Sequence, residues 1–107
     1  MDALDKDFDK LMQLDPTKDS IENILETISY CWNFHYGDMN YTLPPAGTDD
    51  KEFAVEFHTG GWSENETVIQ ALKQSWFWKL FWWKSERGGH FWLKVKKIPK
   101  RRTTTIV

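Results

Sequence analysis

The C-terminal half of the chain holds two aromatic-rich runs, Trp76 to Lys84 and His90 to Lys97, separated by Ser85-Glu86-Arg87-Gly88-Gly89. Aromatic residues favour strands, and glycines between two such runs supply the left-handed backbone conformations that a tight reversal needs, so the spacing predicts a β-hairpin. With Lys84 placed opposite His90, Trp82 faces Trp92 on one side, while Trp83–Phe91 and Phe81–Leu93 pair on the other. Both faces are then apolar near the turn. A small domain with three helices leaves one of them as a candidate partner or dimer surface.

The segment before the hairpin is as well patterned. From Glu52 to His58 the alternation is clean, with Phe53, Val55 and Phe57 pointing one way and Ala54, Glu56 and His58 the other, which is a half-buried strand. Gly60-Gly61 ends it. Ser63 and Glu66 then form a capping-box pattern, and Val68, Ile69 and Leu72 supply the apolar stripe of a helix ending near Gln74. Upstream, Leu4, Phe8 and Leu11 mark an amphipathic helix over residues 3–13, with Asp2 as its N-cap. Asp15-Pro16-Thr17 stops it, since proline removes a donor and restricts its predecessor. A second helix starts near Asp19 or Ser20 and runs to about Trp32, burying Ile21, Ile24, Leu25, Ile28 and Cys31. Phe34 to Leu43 fits an edge strand or an ordered loop equally, and Pro44 to Lys51 reads as a loop.

The fold class expected is therefore α+β, with N-terminal helices packed on a small, mainly antiparallel sheet. A single domain spans residues 1–107: an acidic helical part (1–32), a β-α-β-β part (52–98) and a basic flexible tail (99–107). Seven Trp, seven Phe and three Tyr can stabilise so short a chain without disulfides, each buried ring removing about 150–250 Å² from water. The lone Cys31 permits no internal disulfide and reads as a small buried hydrophobe. Met1 to Asp9 carries four aspartates and no apolar run, and Trp76 to Trp83 falls well short of the roughly 20 residues of a membrane helix. A cytoplasmic protein with no membrane partner is expected. On that basis the glycosylation patterns Asn40-Tyr41-Thr42 and Asn65-Glu66-Thr67 have no consequence.

Charge is split along the chain. Residues 1–66 hold fifteen Asp/Glu against four Lys/Arg, whereas residues 67–107 hold ten Lys/Arg against one Glu. Such a division fits either partners of opposite sign or two mutually attracting faces of one domain.

Three constellations bear on function. His58-Thr59-Gly60-Gly61-Trp62-Ser63 leads into a helix N-terminus, where backbone N–H groups favour an anion, and Arg87-Gly88-Gly89-His90 would join it if the hairpin turn folds to the same end. The pocket so formed would use His58, Gly60, Gly61, Ser63, Arg87, Gly88, Gly89 and His90; the competing reading is that glycine and the capping box serve only the backbone. The second interleaves Trp76, Trp78, Lys79, Trp82, Lys84, Arg87, Trp92, Lys94, Lys96 and Lys97, a mixture of stacking planes and cations that can take up a partner protein or single-stranded nucleic acid, or can be a Trp-filled core with solvated lysines. Its partner-binding candidates are Trp78, Trp82, Lys84, Trp92, Lys94 and Lys96. The third is the carboxylate row Asp2, Asp5, Asp9, Asp15, Asp19, Glu22 and Glu26, a docking face for a basic surface or a solvated helix face. An enzyme reading would use His58, Arg87 and His90, but no phosphate loop or nucleophile elbow accompanies them. No cysteine–histidine set has zinc spacing, so no metal or cofactor is expected. His35 reads as a partly exposed loop residue.

The stretch His58-Thr59-Gly60-Gly61-Trp62-Ser63-Glu64-Asn65-Glu66, the Phe77-Trp78 to Trp82 run and Arg87-Gly88-Gly89-His90-Phe91 together resemble a group of small, mostly uncharacterised bacteriophage and prophage proteins. The resemblance covers about forty residues of the C-terminal half. It implies a phage-encoded accessory protein that engages a host or phage protein, including restriction or CRISPR defence components as targets. The expectation is accordingly a non-enzymatic binding module, with nucleic-acid binding through the basic hairpin as the alternative.

Overall fold

The computed structural model describes residues 3–45, 51–61 and 63–97, with side chains from Phe8 onward. In chain order it forms α1 (Ala3–Met12), α2 (Ile21–Cys31), β1 (Asp38–Tyr41), β2 (Phe53–His58), α3 (Ser63–Leu72), α4 (Trp76–Phe81), β3 (Trp82–Glu86) and β4 (His90–Val95). The four strands make one antiparallel sheet in the order β1-β2-β4-β3, so the fold is α+β. Among the described residues no helix is long and apolar enough to cross a membrane. The Asp2 cap, the Leu4 side chain, the middle of the Pro44–Lys51 loop and the 99–107 tail lie outside the described residues.

Local chemistry sets the helix boundaries. In the turn after α1, the Asp15 carboxylate accepts from the Thr17 amide (2.9 Å) and the Thr17 hydroxyl (2.7 Å), which fixes the Pro16 corner and holds the Asp15 carboxyl below its ordinary pKa. Ser20 caps α2, its Oγ accepting from the Asn23 amide at 3.1 Å. Helix α3 begins at Ser63 itself, so Ser63 is the first helical residue rather than the cap before it.

The expected strand over Trp76–Lys84 is a correction: it divides into helix α4 and strand β3. Ser75 causes the division. Its buried hydroxyl donates to the Leu72 carbonyl (2.6 Å) and accepts from the Trp78 amide (3.1 Å), so one side chain closes α3 and caps α4. A strand would have sent Phe77 and Trp78 to opposite faces; the helical turn buries both, and Phe77 meets Phe81 edge-on at 5.7 Å. Burial of two adjacent large rings outweighs the intrinsic β preference of aromatics.

This shortening changes the hairpin. Lys84 pairs with Trp92, Ser85 with Phe91 and Glu86 with His90, and the reversal is the three residues Arg87-Gly88-Gly89 rather than five. The shift of two residues keeps Lys84 and His90 on one face, while the bulge between Trp82 and Lys84 sets Trp82 opposite Leu93. The sheet is consequently one-sided. Its inner face contributes Met39, Val55, Phe57, Leu93 and Val95 to a core completed by Leu11, Ile24, Leu25 and Ile28 from α1 and α2, and by Val68, Ile69, Leu72, Phe77 and Trp78 from α3 and α4. Met39 and Tyr41 point inward in β1, which resolves the Phe34–Leu43 region as a short edge strand. Cys31 is half-buried at the margin of the core. An ion pair joins the two charge halves: Lys97 Nζ lies 2.8 Å from Glu22 Oε2 and, through that hydrogen bond, lowers the Glu22 pKa.

Candidate functional site

The outer face of the sheet carries the polar and aromatic residues that the core does not take. Strand period places Glu56 and His58 on this face of β2, His90, Trp92 and Lys94 on β4, and Lys84 and Glu86 on β3. His58 stands directly opposite His90, and Glu56 opposite Trp92. The Nε2 atoms of His58 and His90 lie 3.2 Å and 2.5 Å from the same oxygen, Oε2 of Glu56. A carboxylate only accepts, so a ring nitrogen that bonds it carries a proton. Hydrogen bonding from His90, then from His58, holds the Glu56 carboxyl below its ordinary value against an opposing desolvation.

A run of closely packed rings and cations extends from these histidines. The His90 ring lies 3.5 Å from that of His58 and 3.6 Å from that of Trp92, centroid to centroid. Lys84 Nζ sits 4.3 Å above Trp92, and Lys94 Nζ sits 4.1 Å above Trp83, both within cation–π range. The face therefore changes character along its length, from a carboxylate between two imidazoles near the hairpin turn to indoles under ammonium groups farther along.

The two Gly-Gly corners expected to converge are neighbours. The Thr59 amide donates to the Gly89 carbonyl at 3.0 Å, and the Gly61 amide donates to Thr59 Oγ1 at 3.2 Å. Gly89 has φ 77°, and a Cβ there would stand 2.0 Å from Thr59 Oγ1. Gly88, at φ 87°, faces open space. Gly88→Ala is therefore expected to cost about 1–2 kcal/mol from backbone conformation alone, and Gly89→Ala distinctly more, because Thr59 must also move. Urea unfolding of both variants checks this, and equal losses would show that the Thr59–Gly89 approach is immaterial.

Of the expected anion-pocket residues, His58 and His90 come together, but around an internal carboxylate. Gly60, Gly61, Gly88 and Gly89 form the adjoining corners, Ser63 lies exposed in the first turn of α3, and Arg87 lies exposed at the hairpin tip. Of the partner-binding candidates, Trp78 is a correction: it is buried against Phe57 and Phe91 and faces no partner. Lys84, Trp92 and Lys94 gather on the outer face as described. Trp82 is half-exposed and donates from Nε1 to Ser85 Oγ at 2.9 Å, while Lys96 is exposed just beyond β4.

The roles of three residues emerge only from the structure. Glu56 was legible as two positions before His58 on one strand face, but its link to His90 depends on the β2–β4 register. Trp83 lies in the bulge, which no sequence pattern announces. Asn65 is fully buried; it accepts from the Asn33 amide (2.8 Å) and donates to the Asn33 carbonyl (3.0 Å) and Thr59 carbonyl (3.3 Å), tying the loop after α2 to the corner after β2. Comparison of the chain with family models, curated proteins and solved structures finds no match.

Proposed function

We propose that the chain is a non-enzymatic binding module that engages a host or phage protein through β3 and the adjoining outer face of the sheet. The observation that carries the reading is that β3 is an edge strand with every residue exposed, and that it bears Trp82 and Trp83 at 50% and 46% exposure. An edge strand offers a row of backbone donors and acceptors to an added strand, and tryptophan supplies large contact area at small entropic cost. Lys84 and Lys94 beside these rings favour an extended partner segment carrying acidic side chains. The resemblance of the glycine motifs to phage accessory proteins supports a partner in the host, and inhibition of a defence component is the proposed outcome.

The test is affinity capture from nuclease-treated bacterial lysate with wild type and with a Trp83→Ala, Lys94→Glu double variant of unchanged melting temperature. Retention of one protein by the wild type, its loss with the variant and weakening as salt rises are expected. No specific partner, or one retained equally by the variant, sinks the reading. Recovery of nucleic acid from untreated lysate would favour the alternative, against which Glu56 and Glu86 on the same face already weigh.

A further inference from the structure

We propose that Glu56, His58 and His90 form a binding site for a divalent transition-metal ion of the zinc class. The inference needs no partner and stands apart from the docking reading. One donor atom from each residue lies within 4.8 Å of the other two. Two imidazole nitrogens and one carboxylate oxygen are the ligand set of Zn²⁺, Co²⁺, Ni²⁺ and Cu²⁺, whereas Mg²⁺ and Ca²⁺ demand a shell made largely of oxygen.

The backbone supports the set. His58 and His90 are direct cross-strand partners, Glu56 precedes His58 by one strand repeat, and β2 and β4 are the two central strands, each paired on both sides. Ligands on a tetrahedral ion with bonds of about 2.0–2.1 Å stand roughly 3.4 Å apart. The His58–Glu56 separation of 3.2 Å is already near that value, and the 2.5 Å His90–Glu56 separation needs the half-exposed Glu56 side chain to withdraw by about 1 Å. An ion entering here takes the place of the hydrogen bonds: each Nε2 presents its lone pair, and the proton it carried passes to Nδ1 of the neutral ring or to solvent. Three protein ligands leave a further position for water or an incoming donor.

The experiment is titration of the full chain with Zn²⁺, and with Co²⁺ followed by its visible bands, using Mg²⁺ as the control. A single saturable site is expected for Zn²⁺ and Co²⁺ only. Glu56→Gln and His90→Ala should each weaken it about tenfold or more, since even groups behind metal ligands are typically worth 10–100-fold, while His35→Ala leaves it unchanged. Long-range ¹H–¹⁵N spectra of the wild-type imidazoles give a readout independent of any variant: Zn²⁺ should shift His58 and His90 and not His35. Absence of a saturable site, or histidine shifts that include His35 equally, overturns the proposal.

Discussion

Phe57→Ala is expected to lower stability by about 3–5 kcal/mol, a large share of the usual margin of about 5–15 kcal/mol. Phe57 is fully buried near the C-terminal end of β2, with the Trp32 ring at 5.3 Å and the Trp78 ring at 6.3 Å. It is paired in register with Met39 on one side and Phe91 on the other. Truncation removes the ring and opens a cavity bounded by two indoles from different helical regions, which cannot both collapse into it. Glu56 and His58 flank Phe57 on the opposite face, so the same variant should also loosen the outer cluster. Urea unfolding followed by tryptophan fluorescence measures the loss; a drop below about 0.5 kcal/mol, the level of an ordinary surface change, would show that the core repacks around the gap.

Asn65→Ala is expected to cost about 2–4 kcal/mol, because the buried Thr59 carbonyl and the half-buried backbone groups of Asn33 lose their partner together. Asn65→Asp should be nearly as damaging: a carboxylate can still accept from the Asn33 amide, but it faces the Asn33 and Thr59 carbonyls with no proton to donate. The clamp also locates Gly60, whose φ is 67° and whose notional Cβ would stand 1.7 Å from the Tyr36 carbonyl oxygen. Loss of the clamp should therefore raise amide hydrogen exchange in the Thr59–Gly61 corner before the rest of the sheet responds. Uniform exchange across the protein would contradict that local role. The same burial removes Asn65-Glu66-Thr67 from the reach of any glycosylating enzyme acting on the folded chain.

These effects bear on the outer face because the residues that form its cluster are strand positions. Glu56, His58, His90, Trp92, Lys84 and Lys94 are all strand positions, held by the core beneath and by the Thr59–Gly89 bond at the turn end. Preorganisation of this kind suits a surface that meets a partner or an ion without rearranging.

What the amino-acid order determined by itself was whatever depends on near neighbours. Alternation set β2, Ser20 started α2, paired glycines set the corners after β2 and before β4, and the apolar stripes chose the buried faces of the helices. Tertiary structure decided the rest, for one physical reason: several local conformations of nearly equal energy were separated only by what they could bury. Trp76–Phe81 became helix because that places Phe77 and Trp78 in the core together, and the hairpin register followed from the residues left over. The Glu56–His58–His90 cluster depends on which residue of β4 lies opposite which residue of β2, a pairing across more than thirty positions of sequence that only the packed sheet specifies.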